Sequence, residues 1–254
     1  VVGAAVGTVV GTLVALALTV SALQKKGLLS GGRWLPERLY FRRILPIFGS
    51  VFSEQGFERI GMLIFARIAA DLGTVGFAVH NICMNICDIY YCFAVGFGKA
   101  SMVLAGQSCG RGSVFDWLRY RRVGIRWTLL FSTISFVLTV VFRKEIFSIY
   151  SDSPETLALS GTVMVLAALV SYPEAHALVA AGILRGSGRT ASVAAYSFVS
   201  VTILRPIMTA IFFYVLGLGI VGIWMALLFD QCIRASCAEF LVHRLDYMRA
   251  PAKA

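Results

Sequence analysis

Long apolar segments alternate with short polar connectors along the whole chain. The segments cover approximately residues 1–23, 44–70, 76–107, 124–143, 156–183, 191–216 and 219–242. Each has about 20 residues or more, which is the length that an α-helix needs to cross the hydrocarbon core of a bilayer. The pattern therefore predicts seven transmembrane helices. It does not match an outer-membrane barrel, in which apolar and polar positions alternate over segments of about ten residues.

The longest connector, residues 24–43, combines Gly and Pro with several Lys and Arg residues. This composition is typical of a boundary between structural units. We therefore expect the chain to divide there, with one helix before the connector and six helices after it. Residue 1 already lies within an apolar segment and is not Met, so the chain is expected to lack its true start.

The overall composition excludes the other broad classes of protein. Of the 254 residues, 58% are hydrophobic and 14% are charged, and the mean hydropathy is +0.81. A soluble domain carries about a quarter charged residues, and its interior is too small to enclose this much apolar surface. Disordered chains have low hydrophobicity. The predicted fold class is therefore an all-α integral membrane protein.

The net charge of +10 could indicate a nucleic-acid partner, but the positions of the charges indicate a lipid bilayer instead. Lys and Arg residues gather in alternate connectors, whereas the opposite connectors hold only Arg143 and Lys144. Since cytoplasmic loops carry the excess of positive charge, we expect the C-terminus in the cytoplasm and residues 144–155 outside. The residues assigned to the cytoplasmic side are Lys25, Lys26, Arg33, Arg38, Arg42, Arg43, Arg111, Arg119, Arg121, Arg122, Arg126, Arg185, Arg189, Arg244, Arg249 and Lys253.

Two acids in the second apolar segment are the first candidates for function. An ionisable residue inside the bilayer costs several kcal/mol, so it usually serves a purpose. Glu54 and Glu58 are four residues apart and share one helix face. Either the two carboxylates share a proton or a sodium ion, because like charges repel in a low dielectric, or each pairs with an Arg of its own or of a neighbouring helix. Both alternatives are open.

A polar stripe marks the third segment. Asn81, Asn85 and Asp88 follow one another at spacings of four and three, and Lys99 continues this face about three turns later. The stripe either lines a wet cavity or makes the hydrogen bonds between helices that small polar residues often make in membranes.

The fifth segment contains Tyr172, Pro173 and Glu174 in sequence. Pro173 has no N–H to donate, so the carbonyl of Leu169 loses its usual partner. A free carbonyl beside Glu174 would suit a cation, as unwound helices do in transporters. The alternative is a proline kink in which Glu174 pairs with Arg or Lys. A Na⁺ ion at Glu58 or Glu174 is the one metal that we consider.

The remaining charged and aromatic residues have simpler interpretations. Asp230 and Arg234 are four apart and are expected to form an ion pair within one helix. Arg205, which precedes Pro206, is expected to serve a buried acid beside a kink. Trp34, Trp117, Trp127 and Tyr247 are expected to anchor helix ends at the lipid headgroups. Cysteines 83, 87, 92, 109, 232 and 237 show no metal-binding spacing, and no catalytic motif or cofactor site is apparent.

Several short motifs resemble those of the multidrug and toxic compound extrusion (MATE) transporters. Gly73-Thr74 followed by Ala78-Val79-His80-Asn81-Ile82 is similar to the family's GT…AxHQI motif, with Asn81 in place of Gln. Residues 96–110 resemble its glycine-rich run, and residues 181–188 resemble its LRGxG turn. Arg205-Pro206 and residues 217–234 resemble the last two helices of bacterial members. The order and spacing of these motifs cover nearly the whole chain.

This resemblance implies a fold and a set of site residues. MATE transporters have twelve helices in two lobes of six. Residues 1–23 would be the last helix of the N-terminal lobe, 24–43 the cytoplasmic linker between lobes, and 44–254 the C-terminal lobe with a cytoplasmic tail. The resemblance places Glu58, Glu54 and Glu174 at recurrent acidic positions of the family. The binding set for the cation or substrate is then Glu54, Glu58, Asn85, Asp88 and Glu174.

The expected function follows from the same resemblance. The chain would be the C-terminal part of an antiporter in the plasma membrane that exports cationic or amphipathic organic compounds in exchange for Na⁺ or H⁺. It would need the missing N-terminal lobe as its partner. A lipid-linked flippase of the same superfamily, a seven-helix receptor, and a scaffold without transport activity are the alternatives.

Overall fold

The computed structural model describes residues 2–25, 27, 38–150 and 154–245. The chain divides into two compact units, Val1–Pro46 and Ile47–Ala254. Across the described residues every regular element is a helix, which confirms the predicted all-α class. Trp34, Tyr247 and most of the 24–43 connector lie outside the described residues.

The helices follow the apolar segments closely. They are α1 Val2–Lys25, α2 Arg38–Ala70, α3 Gly73–Arg111, α4 Val114–Val141, α5 Arg143–Ser148 and α6 Pro154–Gly186, then α7 Thr190–Val215 and α8 Gly219–His243.

Six of the described helices are long and apolar enough to cross a membrane, whereas seven were predicted. Of the seven predicted spans, the one outside this set is α2. Its 33 residues suffice for a span, but Glu54, Glu58 and Arg59 lie near its middle and lower its hydropathy. The charged residues that make α2 a candidate functional element thus also lower its hydropathy, so α2 is not counted as a membrane span by composition.

The start of α4 corrects the sequence-based boundary. The helix was expected to begin near residue 124, but it begins at Val114. Gly112 ends α3 with a φ of +67°, and the Ser113 side chain accepts a hydrogen bond from the Asp116 amide at 3.3 Å. The arginines between 119 and 126 therefore belong to the first turns of α4 and not to a loop. Long Arg side chains can extend from such turns to the membrane surface.

Two proline positions behave differently from each other. Pro173 lies inside α6, which continues through it as a helix. In α7 the stretch Phe198–Leu204 is π-helical. A short α-helical stretch, Arg205–Ala210, follows with Pro206 in its first turn, and a second π-helical stretch, Ile211–Val215, comes after it. Wider π turns inside a helix are often found at functional sites.

Glycines allow α3 and α6 to cross at very short range. A Cβ atom at Gly182 would overlap the carbonyl of Gly98, and one at Gly186 would overlap the carbonyl of Met102. Close approach through small residues is a common way of packing membrane helices. This crossing gives a steric reason for the glycines in the motifs at 96–110 and 181–188.

Two clusters of buried apolar residues hold the larger unit together. One surrounds Phe65, Val79, Met164 and Trp224, and so joins α2, α3, α6 and α8. The other surrounds Trp117, Leu184, Val193 and Val242.

The second cluster corrects the interpretation of Trp117 as a headgroup anchor. Its side chain is buried, and its indole N–H donates to the Ser187 hydroxyl at 3.1 Å. Ser187 lies in the turn between α6 and α7. Trp127, by contrast, is exposed.

Candidate functional site

A cavity of about 300 Å³ lies among α2, α3, α6, α7 and α8. Its walls combine acids, arginines, amides and apolar side chains from the membrane-spanning helices. They are Gln55, Glu58, Arg59, Met62, Met84, Cys87, Asp88, Tyr91, Val170, Glu174, Arg205, Leu227, Gln231 and Arg234. We call this space the acidic cavity, after Glu58, Asp88 and Glu174.

Glu174 contributes the carboxylate of α6. It accepts a hydrogen bond from the Gln231 side-chain amide at 3.2 Å. Among the described residues no Arg or Lys forms an ion pair with it, so the predicted alternative of a simple pairing with a cation does not hold. The side-chain oxygen of Gln231, Oε1, is buried and has no hydrogen-bond partner among these residues. A proton or a cation at this position would find acceptors from both side chains.

Glu58 contributes the carboxylate of α2, and it is paired. Its Oε1 lies 3.5 Å from the Arg234 guanidinium of α8, and its Oε2 accepts from the Gln55 amide at 3.3 Å. Arg234 therefore does not form the expected pair with Asp230.

Asp230 instead pairs with Arg205 of α7, whose guanidinium lies 2.5 Å away. The Ser200 hydroxyl also donates to this carboxylate. Both members of the Arg205–Asp230 pair are buried, as was expected of Arg205. Since Asp230 already accepts from α7, Arg234 is left for Glu58 on α2.

Glu54 is buried and contacts α6 and α7. It pairs with the Arg185 guanidinium and accepts from the Ser197 hydroxyl at 3.5 Å. Its Oε2 has no hydrogen-bond partner among the described residues. Of the two alternatives left open by the sequence, the structure therefore shows the second, in which each acid pairs with an arginine from a neighbouring helix.

The polar stripe of α3 is divided. Asp88 lines the acidic cavity and forms no ion pair or hydrogen bond with another described side chain. Asn81 and Asn85 are exposed on the helix surface and do not line this cavity. Lys99 lines a second cavity, of about 420 Å³.

Sequence reasoning missed several contributors to the acidic cavity, among them the polar side chains of Gln55, Tyr91 and Gln231. Gln231 could have been noticed as an amide inside an apolar segment, whereas Tyr91 has nothing in the sequence that sets it apart from other aromatic residues.

The described residues contain no group of three His, Cys, Asp or Glu side chains that could hold a metal ion. The cysteines among them are free thiols. A Na⁺ ion at Glu58 or Glu174 remains a prediction, and it would need carbonyl, hydroxyl or water oxygens in addition to carboxylates.

Comparison with known proteins identifies the fold. The family model described as MatE matches residues 46–211. An outward-facing multidrug resistance MATE family transporter of the MOP superfamily superposes with a TM-score of 0.76 at 15% identity, covering 84% of this chain and 48% of that chain. The eukaryotic MATE transporter AtDTX14 gives 0.77 at 15% identity, covering 91% and 54%. A variant of the Vibrio cholerae MATE transporter VcmN gives 0.72 at 17% identity, covering 82% and 46%.

At these identities the solved structures show a common fold, and the chain spans about half the length of each of them. They do not favour a seven-helix receptor or a flippase. Together with the family match over residues 46–211, they establish that this multi-pass membrane chain belongs to the MatE family.

Proposed function

We propose that this chain is the C-terminal lobe of a cation-coupled antiporter that exports cationic or amphipathic organic compounds in exchange for Na⁺ or H⁺. The observation that carries the proposal is the acidic cavity. Within membrane-spanning helices, Glu174 has only an amide partner, and Asp88 has no ion-pair partner among the described residues.

The energetics of these two acids connect binding to exchange. An ionised carboxylate inside a membrane protein needs a counter-charge or hydrogen bonds, or else it takes up a proton. An inward-moving ion or proton and an outward-moving organic cation can each neutralise the same carboxylates. Competition between the two for Glu174 and Asp88 would couple their movements.

The cavity walls suit an amphipathic compound. Met62, Met84, Val170 and Leu227 supply apolar surface, and Met side chains adapt to ligands of different shape. Tyr91 adds an aromatic face to which an organic cation can bind.

Alternating access requires a second lobe against which the cavity can close. We therefore propose a partner lobe of six helices, to which α1 would belong, and we call the assembly the two-lobe transporter. We propose that it lies in the plasma membrane, and the distribution of Lys and Arg indicates that its C-terminus faces the cytoplasm.

Transport by the two-lobe transporter in proteoliposomes tests the proposal. An imposed Na⁺ or H⁺ gradient should drive accumulation of a fluorescent organic cation by the wild type, and the gradient that succeeds names the coupling ion. Glu174→Gln should abolish this accumulation, because the neutral amide cannot exchange a proton or balance the charge of a cation. Glu145→Gln changes an exposed acid in α5 and should transport like the wild type. Transport by Glu174→Gln at the wild-type rate would reject the proposal.

A further inference from the structure

The second cavity differs from the acidic cavity in its balance of charges, since the acidic cavity is lined by three acids and three arginines. Its apolar wall includes Val51, Val95, Met102 and Leu178. Its charged lining consists of Glu54, Glu58, Lys99, Arg185 and Arg234, so cationic side chains outnumber carboxylates. We call this space the basic cavity.

The ion pairs account for four of these five charges. Glu54 pairs with Arg185, and Glu58 pairs with Arg234. Lys99 forms no ion pair with any acid of the described residues. Lys99 is exposed to this cavity, and its ammonium has no acidic partner among the described residues, so an anion that enters the basic cavity can supply the counter-charge that an ammonium within a membrane span needs.

The backbone beside Lys99 is closely packed against α6. Its neighbour Gly98 lies at the close crossing of α3 and α6, where a Cβ atom would come within 2.9 Å of the Leu178 carbonyl oxygen. This contact fixes the Cα position of Lys99 relative to α6, which also carries Arg185. The ammonium of Lys99 acts as a compact charge and Arg185 as a planar fork, and both groups bind carboxylate or phosphate oxygens well.

The two cavities share a wall. Gln55, Glu58, Tyr91 and Arg234 line both of them. Asp88 and Lys99 lie about 16 Å apart along the axis of α3, and their side chains can reduce that separation. One elongated compound could therefore extend from the acidic cavity into the basic cavity.

We infer that Lys99, supported by Arg185, forms an anion subsite that binds a carboxylate or phosphate group at the end of the transport cavity opposite to Glu174. The inference rests on the proposed function and extends it, because it assigns to the transporter compounds that carry an acidic group as well as a cationic one. The pairs Glu54–Arg185 and Glu58–Arg234 engage both carboxylates of the basic cavity, so neither of them forms an ion pair with Lys99.

Equilibrium binding of two matched dyes to the two-lobe transporter tests the subsite without any ion gradient. The dyes are a rhodamine with a free carboxylate and its methyl ester, which differ in the negative charge and in one methyl group. Fluorescence polarisation in neutral detergent gives the ratio of their affinities. Lys99→Gln and Lys99→Met should each lower the acid-to-ester affinity ratio by about tenfold, the value of one charge-assisted hydrogen bond. Lys99→Arg should preserve most of the ratio, and Lys144→Gln in α5 should leave it unchanged.

Added phosphatidylglycerol distinguishes the two sources of the anion. If a lipid phosphate occupies the subsite, this lipid weakens binding of the acid dye to the wild type and not to Lys99→Gln. If the carboxylate of the transported compound is the anion, the lipid has no effect on the wild type.

An affinity ratio that is the same in wild type, Lys99→Gln and Lys99→Met overturns the anion subsite, as does an acid dye that does not bind the wild type. If the wild type binds the dyes as expected but does not transport the ester in response to an ion gradient, that result would instead count against the proposed antiport.

Discussion

Asp230 and Arg234 lie one turn apart on α8, yet each contacts a different helix. Asp230 pairs with Arg205 of α7, and Arg234 pairs with Glu58 of α2. The sequence could predict that these charges are buried and need partners, because charges inside apolar segments are rare. It could not assign the partners, because spacing along one helix carries no information about which neighbouring helix faces each side chain.

The Arg205–Asp230 pair gives a prediction at the scale of residues. Arg205→Met should destabilise the protein by about 3–5 kcal/mol, because it leaves a buried carboxylate without a counter-charge. Asp230→Leu alone should be similarly harmful, whereas the double variant should recover most of the loss. Thermal unfolding in detergent measures the effect. Additive losses in the double variant would show that the two side chains are not coupled.

The acids of α2 show how far reasoning from the sequence extends. Their position in the middle of a membrane helix marked Glu54 and Glu58 as unusual. Each acid pairs with a different arginine, Glu54 with Arg185 of α6 and Glu58 with Arg234 of α8. The sequence could not show these pairs, because α6 and α8 lie far from α2 along the chain. The sequence identified Glu174 as a candidate site residue, but it did not show that the side-chain amide of Gln231 is its partner.

At the scale of elements, hydropathy predicted α6, α7 and α8 to within a few residues of their ends. It failed at the start of α4, because the first turns of this helix carry arginines and therefore resemble a connector in the sequence. It also gave no sign of the π-helical stretches of α7. These depend on tertiary packing, including the close approach of Gly61 in α2 to the Val201 carbonyl.

The crossing of α3 and α6 gives a prediction about glycine. Gly182→Ala should lower stability by about 1–3 kcal/mol, because its Cβ atom has to displace the backbone of Gly98. Gly96→Ala on α3 is the matched control, since a Cβ atom there meets nothing within 4 Å and Ala favours the helix by up to about 1 kcal/mol. Thermal unfolding compares the two variants. Equal stabilities would mean that the crossing tolerates a wider separation.

The turn between α2 and α3 gives a prediction about pH. The Tyr214 hydroxyl and the Arg67 guanidinium both donate to Asp71, and they lower the pKa of this carboxyl group. A lowered pKa in the folded state means that the contacts stabilise the protein above the unfolded pKa of Asp71, about 3.9. This stabilisation is lost as the pH falls through the lower, folded value.

Wild type should therefore melt at a higher temperature than Asp71→Asn at neutral pH, and the difference should vanish in strong acid. Melting curves of both proteins across that range provide the measurement. A difference that persists unchanged into acid would show that the negative charge of Asp71 is not its cause.

At the scale of the whole molecule, the chain spans about half the length of the solved MATE structures that it resembles. Residues 47–254 form a compact unit with its own buried clusters. The family motifs in the sequence made this identification possible, whereas they name neither a substrate nor a coupling ion.

The need for two lobes gives a prediction of its own. The chain expressed alone should insert into membranes but should not export an organic cation, because nothing closes its cavity on the second side. Co-expression with an N-terminal lobe should restore export. Efflux from cells that express only residues 1–254, above the level of cells carrying an empty vector, would contradict the two-lobe account.

The central claim is that the carboxylates of the acidic cavity exchange an ion for an organic cation. Ion movement driven by the substrate tests this claim most directly. Proteoliposomes without an ion gradient receive an organic cation on one side, and a pH-sensitive dye and a Na⁺-sensitive dye report any ion that moves in the opposite direction. The account predicts that the two-lobe transporter moves one of these ions, that Glu145→Gln does the same, and that Glu174→Gln moves neither. Ion movement by Glu174→Gln equal to that of the wild type would contradict the account.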